Sequence, residues 1–248
     1  MARPLPPELE RKAAEVRALL SHEQAAHGRL IYSNSLGTEA MVLTDIIWSH
    51  FPEIDVFTID TGRLHEETYA LIQRLEQHYR RKLRVVHPNA ESLERLSRNQ
   101  GINGFYENVE ARQLCCYVRK VEPFKRAIAG YGAWITGVRR EQSAERAVSE
   151  SVEWDARYGL YRVSPLLAWQ EAEVWQYIRA RSLPYNPLHD RGFPSIGCEP
   201  CTRAIQPGES RRAGRWWWER GESRECGLQP RRVSNGVGSL QVGCAPVA

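Results

Sequence analysis

Between Leu30 and Arg181 short apolar runs alternate with stretches of helical periodicity, and this alternation is the strongest constraint on the fold. Leu30-Ile31-Tyr32, Ile54 to Ile59, Leu83 to Val86 and Ala133 to Thr136 read as strands, and Leu160 to Val163 as a fifth. Between and around them the spacing predicts helices over 8–27, Ala40 to about Trp48, Glu66 to Tyr79, 91–99, 117–129 and Glu171 to Arg181. In the first of these, Leu9, Ala13, Val16 and Leu20 recur at helical intervals. Strands that alternate with helices imply an α/β domain: a mostly parallel, twisted sheet flanked by helices. Ligands in such sheets bind beyond the carboxyl ends of the strands. Three strand ends here are polar and glycine-containing, at Ser33 to Glu39, Asp60-Thr61-Gly62 and Gly137, and they are expected to converge on that edge.

After Pro184 the regularity fades, and Pro187, Pro194, Pro200 and Pro207 forbid a long helix. The expected organisation is therefore one domain over 1–233, with the sheet core at about 28–183 and a loop-rich C-terminal extension at about 184–233. Residues 234–248 are small and polar and read as a disordered tail. With 42% apolar and 26% charged residues in 248, a sizeable core can form. No apolar run approaches the ~20 residues that span a bilayer, and no secretory signal precedes the first helix, so a soluble, cytoplasmic protein without membrane contact is expected. A net charge of +4 is too mild for a nucleic-acid groove. The local excess of arginine between Arg203 and Arg232 suits a small anion, or simply a solvated basic tail.

Ser33-Asn-Ser35-Leu-Gly37-Thr38-Glu39 joins the first strand to a helix. Gly37 allows close backbone approach to an oxyanion, the helix start offers unpaired N–H groups, and Ser33, Ser35 and Thr38 add hydroxyl donors. Taken alone, such a turn is equally an N-cap, and it matches neither the Walker nor the GxGxxG pattern.

Six cysteines stand at 115, 116, 198, 201, 226 and 244. In a reducing compartment such clusters read as metal or redox sites before disulfides. Cys198-Glu-Pro-Cys201 alone fits zinc, a redox pair or a cluster. Cys115-Cys116 is more discriminating, because successive side chains point apart and rarely reach one tetrahedral ion, whereas the separated irons of a cubane can each take one thiolate. The combination favours a [4Fe–4S] cluster over zinc or a vicinal disulfide. Lys120, four residues past the cysteine pair, is placed to bridge cluster and substrate. Arg139, Arg140, Arg212 and Arg215 are candidates for bidentate contacts to substrate oxygens, while Arg211 and Arg231 read as surface charges. Trp216-Trp217-Trp218 reads as core or interface rather than as a stacking platform, and His65 and His189 read as structural rather than as acid–base groups.

The strand, Ser-x-Gly-x-Glu-x-Met-Val-Leu, strand, Asp-Thr-Gly order resembles the PP-loop, adenine nucleotide alpha-hydrolase-like enzymes. Ala40 stands where many of these have an acidic residue. That resemblance implies phosphate or sulfate oxygens at the first loop, adenosine near Thr61, and backbone atoms of Ile59 on adenine. Cys115-Cys-Tyr-Val-Arg-Lys-Val-Glu-Pro, Trp134-Ile-Thr-Gly-Val-Arg-Arg-Glu-Gln-Ser and the run from Tyr185 to Arg203 are further similar to assimilatory adenylyl-sulfate reductases, over about residues 30–229.

This second resemblance implies adenosine 5′-phosphosulfate as substrate, in sulfate assimilation and cysteine biosynthesis. It implies Cys226 as the nucleophile, in a Glu-Cys-Gly-Leu motif whose usual histidine is Gln229 here. It also implies an S-sulfocysteine intermediate resolved by thioredoxin or a glutaredoxin-like dithiol. A 3′-phosphoadenylyl-sulfate reductase is the alternative. A PP-loop enzyme that thiolates tRNA with ATP is a more distant one, because the loop lacks the Ser-Gly-Gly-x-Asp-Ser pattern. The N-terminal helix is expected to pack on the sheet or on a second copy in a homo-oligomer.

Overall fold

The computed structural model describes residues 4–219 and Leu228. Six strands form one sheet in the order β3-β2-β1-β4-β6-β5. They are β1 (Leu30–Ser33), β2 (Asp55–Ile59), β3 (Arg84–Val86), β4 (Ala133–Ile135), β5 (Val152–Asp155) and β6 (Leu160–Val163). All neighbouring pairs are parallel except β5, which returns antiparallel along β6. The expected α/β sheet is thus present, and its edge strand β5 is an element that periodicity did not reveal. Val152 to Asp155 is short and carries Glu153 and Asp155, and Trp154 is exposed, as suits an edge that must not recruit another strand.

The central strand explains how the sheet is covered. Leu30, Ile31 and Tyr32 are each at most 2% exposed, because both faces of β1 are packed. Leu30 and Tyr32 face one core, with Leu9, Leu20, Met41, Leu43 and Ile178. Ile31 faces the other, with Phe57, Phe124 and Trp134. The first core is covered by α1 (Pro7–His27), α2 (Thr38–His50) and α8 (Glu171–Arg181). Buried Asp45 of α2 accepts hydrogen bonds from the Tyr79 and Tyr177 hydroxyls, tying α2 to α3 (Glu66–Tyr79) and α8.

Past α4 (Ala90–Gln100), the predicted 117–129 helix is a longer, broken one. It begins as α5 (Val109–Cys116), runs through a π-helical turn at Tyr117–Val121 and continues as α6 (Glu122–Ile128). The Glu122 N–H donates to the Tyr117 carbonyl, five residues back. Pro123 supplies the cause: it has no N–H to offer the Arg119 carbonyl, so the α-helical ladder cannot be kept there. A single turn, α7 (Ala144–Ala147), precedes the hairpin. Beyond α8 the chain is loops and short 3₁₀ turns at Pro187–Arg191 and Glu199–Cys201, as the prolines foretold. No helix among the described residues is long and apolar enough to cross a membrane.

Candidate active site

β1 is flanked by β2 on one side and β4 on the other, so the connections from their carboxyl ends diverge and leave a crevice. A cavity of ≈220 Å³ opens there, lined by the Ser33–Glu39 loop, Ile59, Thr61, Lys120 and Gly137, and by Arg212 and Arg215 from the extension. The loop is shaped by Asn34. Its backbone N–H donates to the Phe57 carbonyl at 2.8 Å, its Nδ2 to Thr44 Oγ1 at 2.8 Å, and its Oδ1 accepts from the Leu36 N–H at 2.7 Å. This turn holds Leu36, not Gly37, in the left-handed region, at φ 59°. Gly37 itself is extended at φ −84° and precedes the first turn of α2, of which Thr38 and Glu39 line the cavity.

A second, smaller cavity of ≈30 Å³ abuts the first and is lined by Cys115, Cys116, Cys198 and Cys201. Thr61, Lys120, Cys198 and Arg215 line both cavities. Cys115 and Cys116 end α5, and Cys198 and Cys201 flank a 3₁₀ turn 82 residues further along, so the fold gathers them from two distant segments. All four are free thiols. Burial pushes the Cys115 thiol up, while the Arg119 guanidinium pulls the other way. Burial, reinforced by neighbouring Cys198 and Cys116, pushes Cys201 far above the ordinary thiol range. Trp216 (1% exposed) and Phe105 pack over the thiols, and Thr61 Oγ1 lies 3.2 Å from Cys198 Sγ. Among the described residues no three His, Cys, Asp or Glu side chains are set as ligands of a metal ion.

Arginines surround this pair of cavities. Arg119 is buried and donates to the Thr61 carbonyl at 2.7 Å. Arg112 is buried and paired with both carboxylate oxygens of Glu219, at 2.7 and 2.9 Å. Arg215 lies over the Trp216 ring and donates to the Ile196 carbonyl at 3.2 Å. A Cβ on Gly197 would fall 2.3 Å from Arg215 Nη2, so only glycine lets this guanidinium lie flat against the loop. Arg112 and Arg119 were missed by the sequence reading, although each stands four residues from one of the adjacent cysteines on the same helix, a spacing that puts them on the thiol face.

Two expected oxygen-binding residues are not where they were predicted. Arg139 is fully buried and does not line the cavity: its Nε donates to Glu39 Oε1 at 2.7 Å and its Nη1 to Glu141. A buried guanidinium already held by two carboxylates orders the Glu39 side chain instead. Arg140 is exposed and outside the lining. The lining includes Gln142 and Arg146 from the same segment. Arg211, read as a surface charge, is half-buried at the rim and paired with Glu171. Trp216 is core, as expected, and Trp217 is exposed. Cys226, Arg231, Gln229 and Cys244 lie outside the described residues.

The mostly parallel sheet, flanked by helices and open in a crevice at its switch point, is an α/β fold consistent with the adenine nucleotide alpha-hydrolase-like class. Residues 29–204 match the family model of the phosphoadenosine phosphosulfate reductase domain, and the chain belongs to that family. It is 46% identical to the adenosine 5′-phosphosulfate reductase of Burkholderia cepacia over 97% of this chain and 96% of that protein. It is 50% identical to the enzyme of the same name from Allochromatium vinosum, over 90% of this chain and 87% of that one. Among solved structures, the phosphoadenylyl-sulfate (PAPS) reductase of Candida auris, in a phosphate complex, superposes with a TM-score of 0.66 at 26% identity, covering 82% of this chain and 100% of that one. An FMN adenylyltransferase from Candida glabrata shares the fold, with a TM-score of 0.56 at 17% identity over 82% of this chain and 68% of that one.

Proposed function

We propose that this chain is an oxidoreductase that converts adenosine 5′-phosphosulfate to sulfite and AMP in sulfate assimilation, with a thioredoxin-like dithiol as electron donor. The observation that carries this reading is the contact between the two cavities: one suited to a nucleotide and its oxyanions, the other ringed by four thiols, sharing Thr61, Lys120, Cys198 and Arg215.

The nucleotide lies across the switch point, with its sulfate and phosphate oxygens on the hydroxyls and N–H groups of the Ser33–Thr38 loop. Lys120, Arg212 and Arg215 offset its negative charge, and Ile59 backbone atoms meet the adenine. The Cys226 thiolate attacks the sulfuryl sulfur. A Cys–S bond forms to that sulfur, its bond to the phosphate oxygen breaks, and AMP leaves with the electron pair. One thiolate of the dithiol then attacks Cys226 Sγ and releases sulfite. The second closes a disulfide and returns Cys226 as thiolate, so the dithiol supplies both electrons.

The donor set suits a [4Fe–4S] cluster held by Cys115, Cys116, Cys198 and Cys201. Four thiolates gathered in one small space, Cys201 buried and the other three half-buried, would repel one another, and iron would offset that charge. When bound, such a cluster supplies a rigid, charged brace beside the substrate; the displacement balances without electrons from it.

Purified anaerobically, the protein is expected to absorb broadly near 400 nm and to release sulfite from adenosine 5′-phosphosulfate faster than from its 3′-phosphorylated analogue. Cys226→Ser is expected to lower turnover by about 10³-fold or more while keeping the absorption. Normal turnover in that variant would overturn the mechanism, and absence of iron would overturn the cluster.

A further inference from the structure

Trp134 Nε1, Arg215 Nε and His189 Nε2 are buried without a hydrogen-bond partner among the described residues, and all three residues line the larger cavity. A buried polar atom left unpaired costs free energy, and a site that a ligand completes is one place where a protein tolerates it. Trp134 belongs to the second core, and Arg215 already bonds the Ile196 carbonyl through Nη1. His189 differ from both in being a half-buried ring that the fold holds firmly while leaving Nε2 over. It sits in the Pro187–Arg191 turn, whose start is capped by Asn186 Oδ1, accepting from the Leu188 N–H at 3.0 Å. Asn186 Nδ2 donates to Thr68 Oγ1 of α3 at 2.9 Å, and the His189 ring packs edge-on against Trp175 of α8, 5.6 Å between centroids. The Phe193 main chain also hydrogen-bonds the ring, and since Nε2 has no partner that bond falls to Nδ1.

Burial pushes the pKa of the ring below its ordinary value, while Glu39, the Phe193 main chain and Asp190 pull it up and Arg211 pulls it down. The ring is therefore neutral at neutral pH in the empty site. Glu39 belongs to the first turn of α2 and Arg211 to the cavity rim, so a ring that feels both stands at the oxyanion end of the crevice. We propose that His189 is a substrate-binding residue: Nε2 hydrogen-bonds an oxygen of the nucleotide's phosphate–sulfate group, and the ring takes up a proton from solvent as that anion arrives. This rests on the reading of the crevice as the nucleotide site. The proton gives Nε2 a hydrogen to donate while Nδ1 keeps its own on the main chain, and the anion's charge favours the imidazolium.

The test is binding of AMP and of adenosine to the anaerobically purified protein, followed by calorimetry at about pH 6 and about pH 8. His189→Ala is expected to weaken AMP about tenfold at the lower pH and less at the higher, with adenosine within about threefold of wild type at both. The phosphate of AMP titrates alike for both proteins, so the comparison between them isolates the ring. His189→Gln, whose amide reaches the place of Nε2, should recover most of the loss, and His189→Asn, whose amide matches Nδ1, should not. Wild-type affinity for AMP in His189→Ala overturns the proposal. So does an equal loss for adenosine, which marks damage to the whole cavity, and so does a loss that is the same at both pH values. If His189→Ala does not fold, the other two variants decide: AMP bound as well by His189→Asn as by His189→Gln overturns it. A wild-type protein that binds neither AMP nor adenosine would instead sink the nucleotide reading.

Discussion

Glu39 and Arg139 meet where water hardly reaches, with side chains 13% and 1% exposed. Burial alone would push the Glu39 carboxyl up, but the Arg139 charge and the hydrogen bonds from Arg139 and Gln142 outweigh it, and its pKa is lowered. A carboxylate with a depressed folded pKa stabilises the protein fully above the ordinary value near 4.5, and that contribution is lost as pH falls through the lower folded value. Glu39→Gln leaves Arg139 with Glu141 as its one carboxylate partner among the described residues and is expected to cost about 1–3 kcal/mol at neutral pH. The deficit should shrink steadily below the ordinary carboxylate range, as the wild type also loses the charge. Thermal unfolding followed from pH 7 to about pH 3 checks this. A gap between the two proteins that is independent of pH would show that the pair contributes by packing alone. The sequence motif around Arg139 and Arg140 was legible as important but not in its role. Which of two adjacent arginines turns inward depends on Glu39, a hundred residues away, and nothing local encodes that.

The broken helix from Val109 to Ile128 is the element that joins the two cavities, since it carries two thiols, Arg112, Arg119 and Lys120. Its cysteine pair and Lys120 were readable from spacing. Its π turn was not, because a wide turn leaves no hydrophobic period of its own and only Pro123 hints at it. The extra residue in that turn rotates the α5 side of the helix by about 100° relative to the α6 side. Pro123→Ala returns a donor to the Arg119 carbonyl and is expected to let the ladder relax toward regular α-helix. Lys120 would then leave its place between the cavities, and the KM for the nucleotide should rise about tenfold, with a melting temperature within about 3 °C of wild type. An unchanged KM would mean that surrounding packing, rather than the proline, holds the turn. The same logic accounts for β5: the central strands β1 and β4 announced themselves by being apolar on both faces, whereas a charged edge strand does not.

At the scale of the molecule, the extension after α8 has little core of its own, with Cys201 and Trp216 packed on Phe105 and the other thiols beside them. Its ties to the sheet domain include apolar contacts, Leu183 and Tyr185 on the first core and Trp216 on Phe105, and polar ones: the Glu199 N–H on the Arg63 carbonyl, Tyr106 Oη on the Pro200 carbonyl, Asn186 on Thr68, and Glu219 on Arg112. Each polar contact contributes only about 1 kcal/mol net, and more when charged. A cluster bound by Cys115 and Cys116 on one part and by Cys198 and Cys201 on the other would add a covalent strap between them, closing a long loop and lowering the entropy of the opened state. Removing iron under reducing conditions with a chelator should therefore loosen the extension before the sheet, whose two cores do not involve the cysteines. Limited proteolysis of the iron-free protein is expected to cut between residues 184 and 219 at least tenfold faster, while a fragment ending near Arg181 persists. Preincubation with AMP should slow cutting only slightly, because the proposed nucleotide site lies mainly on the sheet edge. Equal cleavage rates with and without iron would show that the polar contacts suffice, and would reduce the cluster's part to charge alone.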